Sequence, residues 1–474
     1  MNHPNDITYL NAETAQNLTT VSMQKTEITS GVSKSKVRGV FLGTYLIMFL
    51  GALMVYLMKD NFELFHQQIS STTFGSAFYT VIAALLVFKV LFSGFLLYNF
   101  LRYKPTASVA DETLPVCTVI VPAYNEGRLV YDTLLSLAAS NYPKEKLQLI
   151  SIDDGSKDDT WYWMKAAKRE LGDILSVYQQ PHNMGKRHAL YRGFHLAKGE
   201  VFVTVDSDSV VKEDTLRNLV SPIASDENCG AVAGNVKVLN TKNGIIPKML
   251  NVSFAFSFEF VRSAQSNLGS VLCTPGALAA YRKVAVMNCL EDWINQTFLG
   301  NPSDIGEDRA MTNMILKQGF DVKFQRDAHV LTKIPENYNS LRKMFTRWER
   351  SNVRENIMMS KFAFRKFRQG STFGPRLLLV NQWIGILAAY PLSIFMVFLI
   401  INHPLLFLSS TLLGVLIFNT IPAMFYAINH NVNRSFWAHT YGIFYSFSLF
   451  WITPYAIATA HRRGWLTRQL PENK

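Results

Sequence analysis

Four long runs of apolar residues constrain the fold of this 474-residue chain more than any other feature. They lie at 39–58, 77–100, 377–401 and 405–428, and only Lys89 places a charge inside them. Each has the roughly 20 residues that an α-helix needs to cross the hydrocarbon core of a bilayer. Charged residues make up 17% of the chain, well below the roughly 25% of soluble proteins. The sequence therefore predicts an integral membrane protein with a polar domain between two pairs of membrane helices.

Basic residues that flank the first two runs predict the side of the membrane that the domain faces. Three precede the first run and two follow the second: Lys34, Lys36, Arg38, Arg102 and Lys104. Because such flanks favour the cytoplasm, we expect the tail 1–38 and the domain after the helices of 39–104 to be cytoplasmic, in an inner or plasma membrane. Lys89 itself has two equal interpretations, a channel-lining cation or a side chain that reaches the interface.

The apolar segment 436–460 is not expected to cross the membrane as a single helix. A full crossing would place the basic tail, 461–474, outside the cell, against the charge bias. We expect Pro454 to break the segment and make it a re-entrant or interfacial element. The membrane region 377–460 would then end with a cytoplasmic tail.

A strongly basic stretch precedes the third apolar run. Ten Lys or Arg lie between residues 341 and 376 against two Glu. Nucleic-acid binding is one interpretation of such charge, but the adjacent apolar run favours anionic lipid headgroups. Leu341, Phe345 and Trp348 recur here at helical spacing, so 336–376 predicts interfacial amphipathic helices with membrane lipid as a partner and no nucleic acid.

The central region, 105–335, predicts an α/β domain. Short apolar runs at 117–121, 147–152 and 201–205 alternate with longer helical patterns. Polar residues follow these runs, notably Asp153, Asp154, Asp206 and Asp208. In open α/β sheets ligands bind at the carboxyl ends of the strands, so a polar site is expected there.

Several side chains of this region suit an enzyme that uses a sugar nucleotide, which presents two phosphates and a ribose. Asp206 and Asp208 alternate along a segment expected to be extended, so both can hold one Mg²⁺ or Mn²⁺ ion together with phosphate. Lys186 is a cation for the pyrophosphate, and Asp308 is a candidate base for an acceptor hydroxyl that attacks the anomeric carbon.

The stretch that follows the domain offers two more such side chains. Arg347 offers a guanidinium to the diphosphate, and Trp348 offers an indole face to a sugar ring. Each motif taken alone has a structural alternative, namely a turn, a solvated helix start, a helix cap or an interfacial anchor.

The order of seven motifs resembles the processive family 2 glycosyltransferases, above all hyaluronan synthases and the rhizobial chitooligosaccharide synthase. The motifs are V-P-A-Y-N-E (121–126), D-D-G-S (153–156), N-M-G-K-R-H-A (183–189), D-S-D (206–208), G-N-V-K (234–237), G-E-D-R (306–309) and R-W-E-R-S-N-V-R-E (347–355). The resemblance covers about 118–468. It implies a cytoplasmic, Rossmann-like GT-A domain inserted between transmembrane helices that form an export channel for a growing polysaccharide.

The resemblance also implies roles for individual residues. Those expected to bind substrate are Tyr124, Glu126, Asp154 at the uridine, Lys186 and Arg347 at the diphosphate, Asp206 at the nucleotide, Trp348 under the acceptor sugar and Trp465. Asp206 and Asp208 would hold the metal, and Asp308 would be the catalytic base. Trp465 begins W-L-T-R (465–468), which is similar to the family's gating loop over the nucleotide.

Two departures bear on the product. Met344 stands where the family's Q-x-x-R-W motif has Gln, and C-T-P-G-A (273–277) reverses the usual Gly-Pro order. Product length and the sugar, UDP-N-acetylglucosamine alone or alternating with UDP-glucuronate, therefore stay open. A single-transfer enzyme acting on a polyprenyl phosphate and a non-catalytic, polymer-conducting subunit remain the alternatives, and the oligomeric state is unknown.

Overall fold

The computed structural model describes residues 34–462, so Trp465 and the W-L-T-R motif lie outside the described residues. Within that range four helices are long and apolar enough to cross a membrane: Arg38–Leu57, Thr73–Arg102, Phe373–Asn402 and Pro404–Asn429. They coincide with the four apolar runs of the sequence. An α/β domain flanked by apolar helices is therefore confirmed.

The elements follow one another in three groups. Before the domain lie α1 (Lys34–Leu57), α2 (Lys59–Ser70) and α3 (Thr73–Arg102). The domain strands are β1 (Cys117–Ala123), β2 (Leu147–Asp153), β3 (Leu175–Gln179), β4 (Val201–Thr204), β5 (Ser209–Val211), β6 (Cys229–Val238), β7 (Ala279–Arg282), β8 (Thr297–Phe298), β9 (Asn301–Pro302) and β10 (Asp321–Thr332). Its helices are α4 (Leu129–Ala138), α5 (Thr160–Leu171), α6 (Lys186–Leu196), α7 (Thr215–Ser225), α8 (Ile245–Ala255), α9 (Arg262–Asn267), α10 (Lys283–Met287), α11 (Leu290–Ile294) and α12 (Glu307–Lys317). A π-helical turn, Phe256–Val261, joins α8 to α9. After the domain come α13 (Tyr338–Ala363), α14 (Phe373–Asn402), α15 (Pro404–Asn429), α16 (Val432–Ser435), α17 (Trp437–Ser448) and α18 (Ile452–Ala458).

One mixed sheet of eight strands organises the domain, in the order β3-β2-β1-β4-β7-β6-β10-β5. Strands β1 to β4 are parallel, as are β6 and β10, whereas β7 and β5 run antiparallel to their neighbours. Every residue of β1 is buried, as expected of parallel strands that are covered on both faces. The carboxyl ends of β1, β2 and β4 lie at one edge, which brings the polar residues that follow them together.

The apolar segment 436–460 is interrupted at 449–451, where Pro454 would prevent a continuous helix because its ring would clash with the carbonyl group of residue 450. Helix α17 ends at Ser448 and α18 begins at Ile452. Pro454 therefore lies in the first turn of α18, where no intrahelical hydrogen bond needs its missing N–H. With 12 residues, α17 is shorter than the roughly 17 that the shortest membrane-spanning helices need.

The basic stretch that precedes α14 is partly internal, so three of its arginines do not belong to the surface expected to contact lipid. Arg350, Arg354 and Arg368 are at most 9% exposed. Arg350 Nε donates to Thr459 Oγ1 at 3.0 Å, and Arg354 Nε donates to the carbonyl oxygen of Ala460 at 2.5 Å. These three arginines hold protein segments together instead of facing lipid headgroups.

Lys89 contacts a neighbouring membrane helix. Its Nζ donates to Asn381 Oδ1 of α14 at 2.8 Å, while the rest of the side chain is exposed at the surface of the helix bundle. A hydrogen-bond partner reduces the cost of an ammonium group in an apolar stretch.

Candidate active site

A single cavity of about 670 Å³ opens at the carboxyl edge of the sheet and extends to Gln382 on the apolar helix α14. Every predicted site residue in the described range lines it: Tyr124, Glu126, Asp154, Lys186, Asp206, Asp208, Asp308, Arg347 and Trp348. Residues up to 224 positions apart in sequence therefore converge on one space.

Asp154 holds the loop that leads into α6. Its carboxylate accepts hydrogen bonds from Gln180 Nε2 at 2.7 Å, Met184 N at 2.9 Å and Gly185 N at 2.8 Å. Burial raises its pKa from 3.8 to about 6, against the lowering effect of these donors. Asp154 thus shapes the backbone in front of Lys186.

Lys186, the first residue of α6, is the cationic centre of the cavity. Its Nζ lies 2.5 Å from Asp206 Oδ1 and 3.3 Å from Glu307 Oε1. Burial opposes its charge, but the carboxylates of Asp206 and Glu307 outweigh burial and raise its pKa. Gly276 makes room for the ammonium group, since an added Cβ there would lie 2.5 Å from Nζ.

The D-S-D motif forms a turn and not the expected extended segment. Ser209 N donates to the carbonyl oxygen of Asp206 at 3.1 Å, which closes the turn between β4 and β5. Asp206 and Asp208 nevertheless line the same cavity. The turn, and not strand alternation, is what presents both carboxylates.

Two carboxylates provide a partial set of ligands for a hard divalent cation. Within residues 34–462 no group of three or more His, Cys, Asp or Glu is arranged to hold a metal. Mg²⁺ is typically bound by one or two protein carboxylates together with substrate phosphates and water. Asp206 and Asp208 fit that arrangement, provided that a bound phosphate supplies further oxygens.

Asp308 lines the same cavity as Lys186 and Trp348. Arg309 N donates to its Oδ1 at 2.7 Å, and Cys273 Sγ donates to its Oδ2 at 3.7 Å. Burial, reinforced by the charge of Glu307, raises the pKa of Asp308 although Lys186 acts against this. A carboxylate with a raised pKa can take up a proton closer to neutral pH than an ordinary Asp.

The loop before Asp308 packs directly on α13. Gly306 adopts a φ of 78°, in the left-handed region. A Cβ at Gly306 would lie 1.9 Å from Ser351 Oγ of α13. Only glycine allows this close approach, which joins the G-E-D-R motif to the helix that carries Arg347 and Trp348.

Trp348 is the most exposed large aromatic residue of this part of the cavity, at 38%. Its ring lies 6.1 Å from that of Phe254 and 5.6 Å from that of Phe345, measured between centroids. Met344, in the place of the family's Gln, is buried one turn earlier and also lines the cavity. The indole is therefore packed on one side and accessible on the other.

Sequence reasoning missed several residues of this site, among them Glu307, Arg309 and Gln382. Glu307 is the second counter-ion of Lys186, and Arg309 donates through Nη2 to Gln382 Oε1 at 2.5 Å. Glu307 and Arg309 were visible as neighbours of Asp308 in G-E-D-R. Nothing in the apolar run around Gln382 distinguishes it as a cavity residue, apart from its being polar.

The mixed sheet, the acidic turns at its carboxyl edge and the cavity define a glycosyltransferase of the GT-A fold. The chain belongs to glycosyltransferase family 2: residues 115–351 match the family described as "Glycosyltransferase like family 2". The chain is an enzyme of the glycosyltransferase class.

Named relatives support the same family. An N-acetylglucosaminyltransferase of Rhizobium meliloti is 31% identical over 287 residues, which cover 59% of this chain and 67% of that protein. A hyaluronan synthase of Streptococcus pyogenes is 28% identical over 366 residues, 74% of this chain and 82% of that protein. The chain spans between 65% and 68% of the length of four rhizobial relatives.

A solved structure supports the fold. A mannosyltransferase of Pyrobaculum calidifontis, in complex with GDP-mannose and Mn²⁺, superposes with a TM-score of 0.52 at 22% identity. The superposition covers 76% of this chain and 98% of that one. The predicted GT-A fold is thereby confirmed.

Proposed function

We propose that this protein is a processive, inverting glycosyltransferase that polymerises UDP-activated sugars into a β-linked polysaccharide and exports it across the membrane in which it is embedded. One observation carries this proposal: Lys186, Asp308, Trp348 and Gln382 of α14 line the same cavity. A donor, an acceptor and a membrane helix thus share one space. The catalytic domain faces the cytoplasm, where nucleotide sugars are found.

The donor end binds and stabilises the diphosphate. Lys186 exchanges a carboxylate partner for phosphate oxygens, and Arg347 contacts the same group. A Mg²⁺ or Mn²⁺ ion held by Asp206 and Asp208 would supply further positive charge to the leaving diphosphate. Fixed positive groups aimed at the place where negative charge develops lower the barrier most effectively.

The acceptor end carries out the proton transfer. The terminal sugar of the growing chain lies on Trp348, and Asp308 removes the proton from its attacking hydroxyl. The hydroxyl oxygen forms a bond to the anomeric carbon as the bond from that carbon to the diphosphate breaks, and UDP leaves with the bonding electrons. Attack from the opposite face converts an α-linked donor into a β-linked product.

The named relatives support a proposal for the donor sugar. The N-acetylglucosaminyltransferases and hyaluronan synthases support UDP-N-acetylglucosamine as a donor, alone for a chitin-type chain or alternating with UDP-glucuronate for hyaluronan.

The test uses the full chain in lipid nanodiscs with Mn²⁺, and it follows UDP release and product size. Release with UDP-N-acetylglucosamine alone and a chitinase-sensitive polymer would identify a chitin-type synthase. A requirement for both donors and a hyaluronidase-sensitive polymer would identify hyaluronan. A single sugar on a polyprenyl phosphate would contradict processivity, and no release with any nucleotide sugar would contradict catalysis.

Gly276→Ala should weaken UDP binding without unfolding the domain. The new methyl group would displace the Lys186 ammonium from its position beside Asp206. We expect an affinity loss of about tenfold, equivalent to one charge-assisted hydrogen bond. Calorimetric titration with UDP measures it, and Gly385→Ala is the control because a Cβ there meets nothing within 4 Å. Unchanged affinity would show that Lys186 can bind UDP from another position.

UDP affinity should fall as the pH drops below about 6, the pKa of Asp154. Below that pH the carboxyl group is protonated, and it loses acceptor capacity for the N–H groups of Met184 and Gly185. Titrations between about pH 5 and 7.5 should show the fall in the wild type. Asp154→Asn should bind weakly at every pH, and an equal fall in that variant would assign the titration to another group.

A further inference from the structure

Arg262 is a partly buried arginine whose guanidinium has no hydrogen-bond acceptor or ion-pair partner within residues 34–462. It lines the same cavity as Asp308 and Trp348, and its Nη1 is inaccessible to solvent yet unbonded. Its Cζ lies 3.6 Å from the ring centroid of Phe258. A guanidinium carries five N–H donors, and leaving a buried donor unsatisfied is costly.

Aromatic rings connect Trp348 to Arg262. The centroid of Trp348 lies 6.1 Å from that of Phe254, which lies 5.7 Å from that of Phe258. Phe254, Phe258 and Arg262 follow one another at intervals of four residues, which places them on one face of the helical segment. The segment includes the π-helical turn Phe256–Val261, a feature that occurs frequently at functional sites.

The row of rings and the guanidinium at its end are groups of the kind that bind a glycan. Aromatic faces pack against the apolar faces of sugar rings, and a guanidinium binds oxygen acceptors that project from the ring. If Trp348 supports the terminal sugar, Phe258 and Arg262 lie beyond it, along the row of rings that begins at Trp348.

We propose that Phe258 and Arg262 form a second acceptor subsite, in which the guanidinium binds an exocyclic oxygen of the sugar next to the terminal one, either a carboxylate or an acetamido carbonyl. This inference rests on the proposed polymerising function. Such a subsite fixes the register of the chain as well as its end, so that Arg262 selects which polymer is extended.

Binding of oligosaccharides tests this subsite apart from catalysis. The probes are hyaluronan, chitin and cellulose oligosaccharides of equal length, titrated against the wild type and Arg262→Gln in nanodiscs. Hyaluronan fragments carry both exocyclic groups, chitin fragments carry only the acetamide, and cellulose fragments carry neither. Loss of one charge-assisted interaction predicts about 10-fold to 100-fold weaker binding.

Each pattern of loss decides a different point. A loss restricted to hyaluronan identifies the carboxylate, and a loss for hyaluronan and chitin identifies the carbonyl. A wild type that binds none of the three, an unchanged variant, or an equal loss that includes cellulose would overturn the subsite. None of these outcomes depends on turnover, whereas the proposed function is tested by UDP release and by the size of the product.

Two controls separate the subsite from a structural role. UDP affinity should stay unchanged in Arg262→Gln, which reports an intact donor site. Arg326→Gln removes an arginine that likewise packs on aromatic rings, those of Phe100 and Tyr103, but lies outside the cavity. It should bind all three oligosaccharides as the wild type does. Arg262→Lys keeps the charge without the planar fork and should show an intermediate loss.

Discussion

Asp308→Asn should abolish sugar transfer in practice, with kcat lower by about 10²-fold to 10⁴-fold, while UDP-sugar affinity persists. The amide has almost the same shape as the carboxylate, and its oxygen can still accept from Arg309 N. It cannot take up the proton of the acceptor hydroxyl. Transfer is measured as UDP release at saturating donor, and binding is measured by calorimetric titration.

The matched control for this variant is Asp292→Asn. Asp292 is an exposed carboxylate of α11 that does not line the cavity, so both transfer and binding should stay at the wild-type level. Loss of donor binding in Asp308→Asn would overturn the assignment of Asp308 as the base. It would place that carboxylate in the donor site instead.

Lys186→Met should produce the largest loss of donor affinity, about 10-fold to 100-fold, because methionine keeps the length of the side chain without its charge. The domain should also lose stability. Removing one partner of a buried ion pair costs about 3–5 kcal/mol, and the partial exposure of the Asp206 side chain, 34%, favours the lower end of this range. Denaturant unfolding and UDP titration measure the two effects.

A second substitution separates binding from stability. Adding Glu307→Gln to Lys186→Met removes the buried carboxylate that has lost its partner, so stability should return in part while UDP affinity stays low. Recovery of affinity in the double variant would mean that Lys186 only neutralises carboxylates. Lys323→Met is the control, since Lys323 pairs with Asp226 at 2.5 Å outside the cavity and should leave UDP affinity unchanged.

The membrane helices and the position of the site could be predicted because they depend on local sequence. Uninterrupted apolar runs are sufficient to identify α1, α3, α14 and α15, and the apolar strands imply which edge carries Asp154 and Asp206. A parallel arrangement leaves the carboxyl ends of such strands no other place to meet. The motifs then supplied a hypothesis for the role of each residue.

Other features depend on contacts between distant segments and left no local signal. Arg350 and Arg354 resemble surface cations in sequence, yet they bond to the segment 459–462. The turn at Asp206 to Ser209 is closed by a backbone hydrogen bond, which side-chain periodicity does not report. The unsatisfied guanidinium of Arg262 is visible only when its whole surroundings are known.

The close approach of Gly306 to Ser351 joins the loop that carries Asp308 to the helix that carries Trp348. The backbone of Gly306 packs directly on the short side chain of Ser351, so no long, flexible side chain separates the loop from α13. A displacement of α13 would therefore shift both groups together. We expect Asp308 and the indole of Trp348 to behave as one stiff unit, so that the spacing between them stays constant when α13 is displaced.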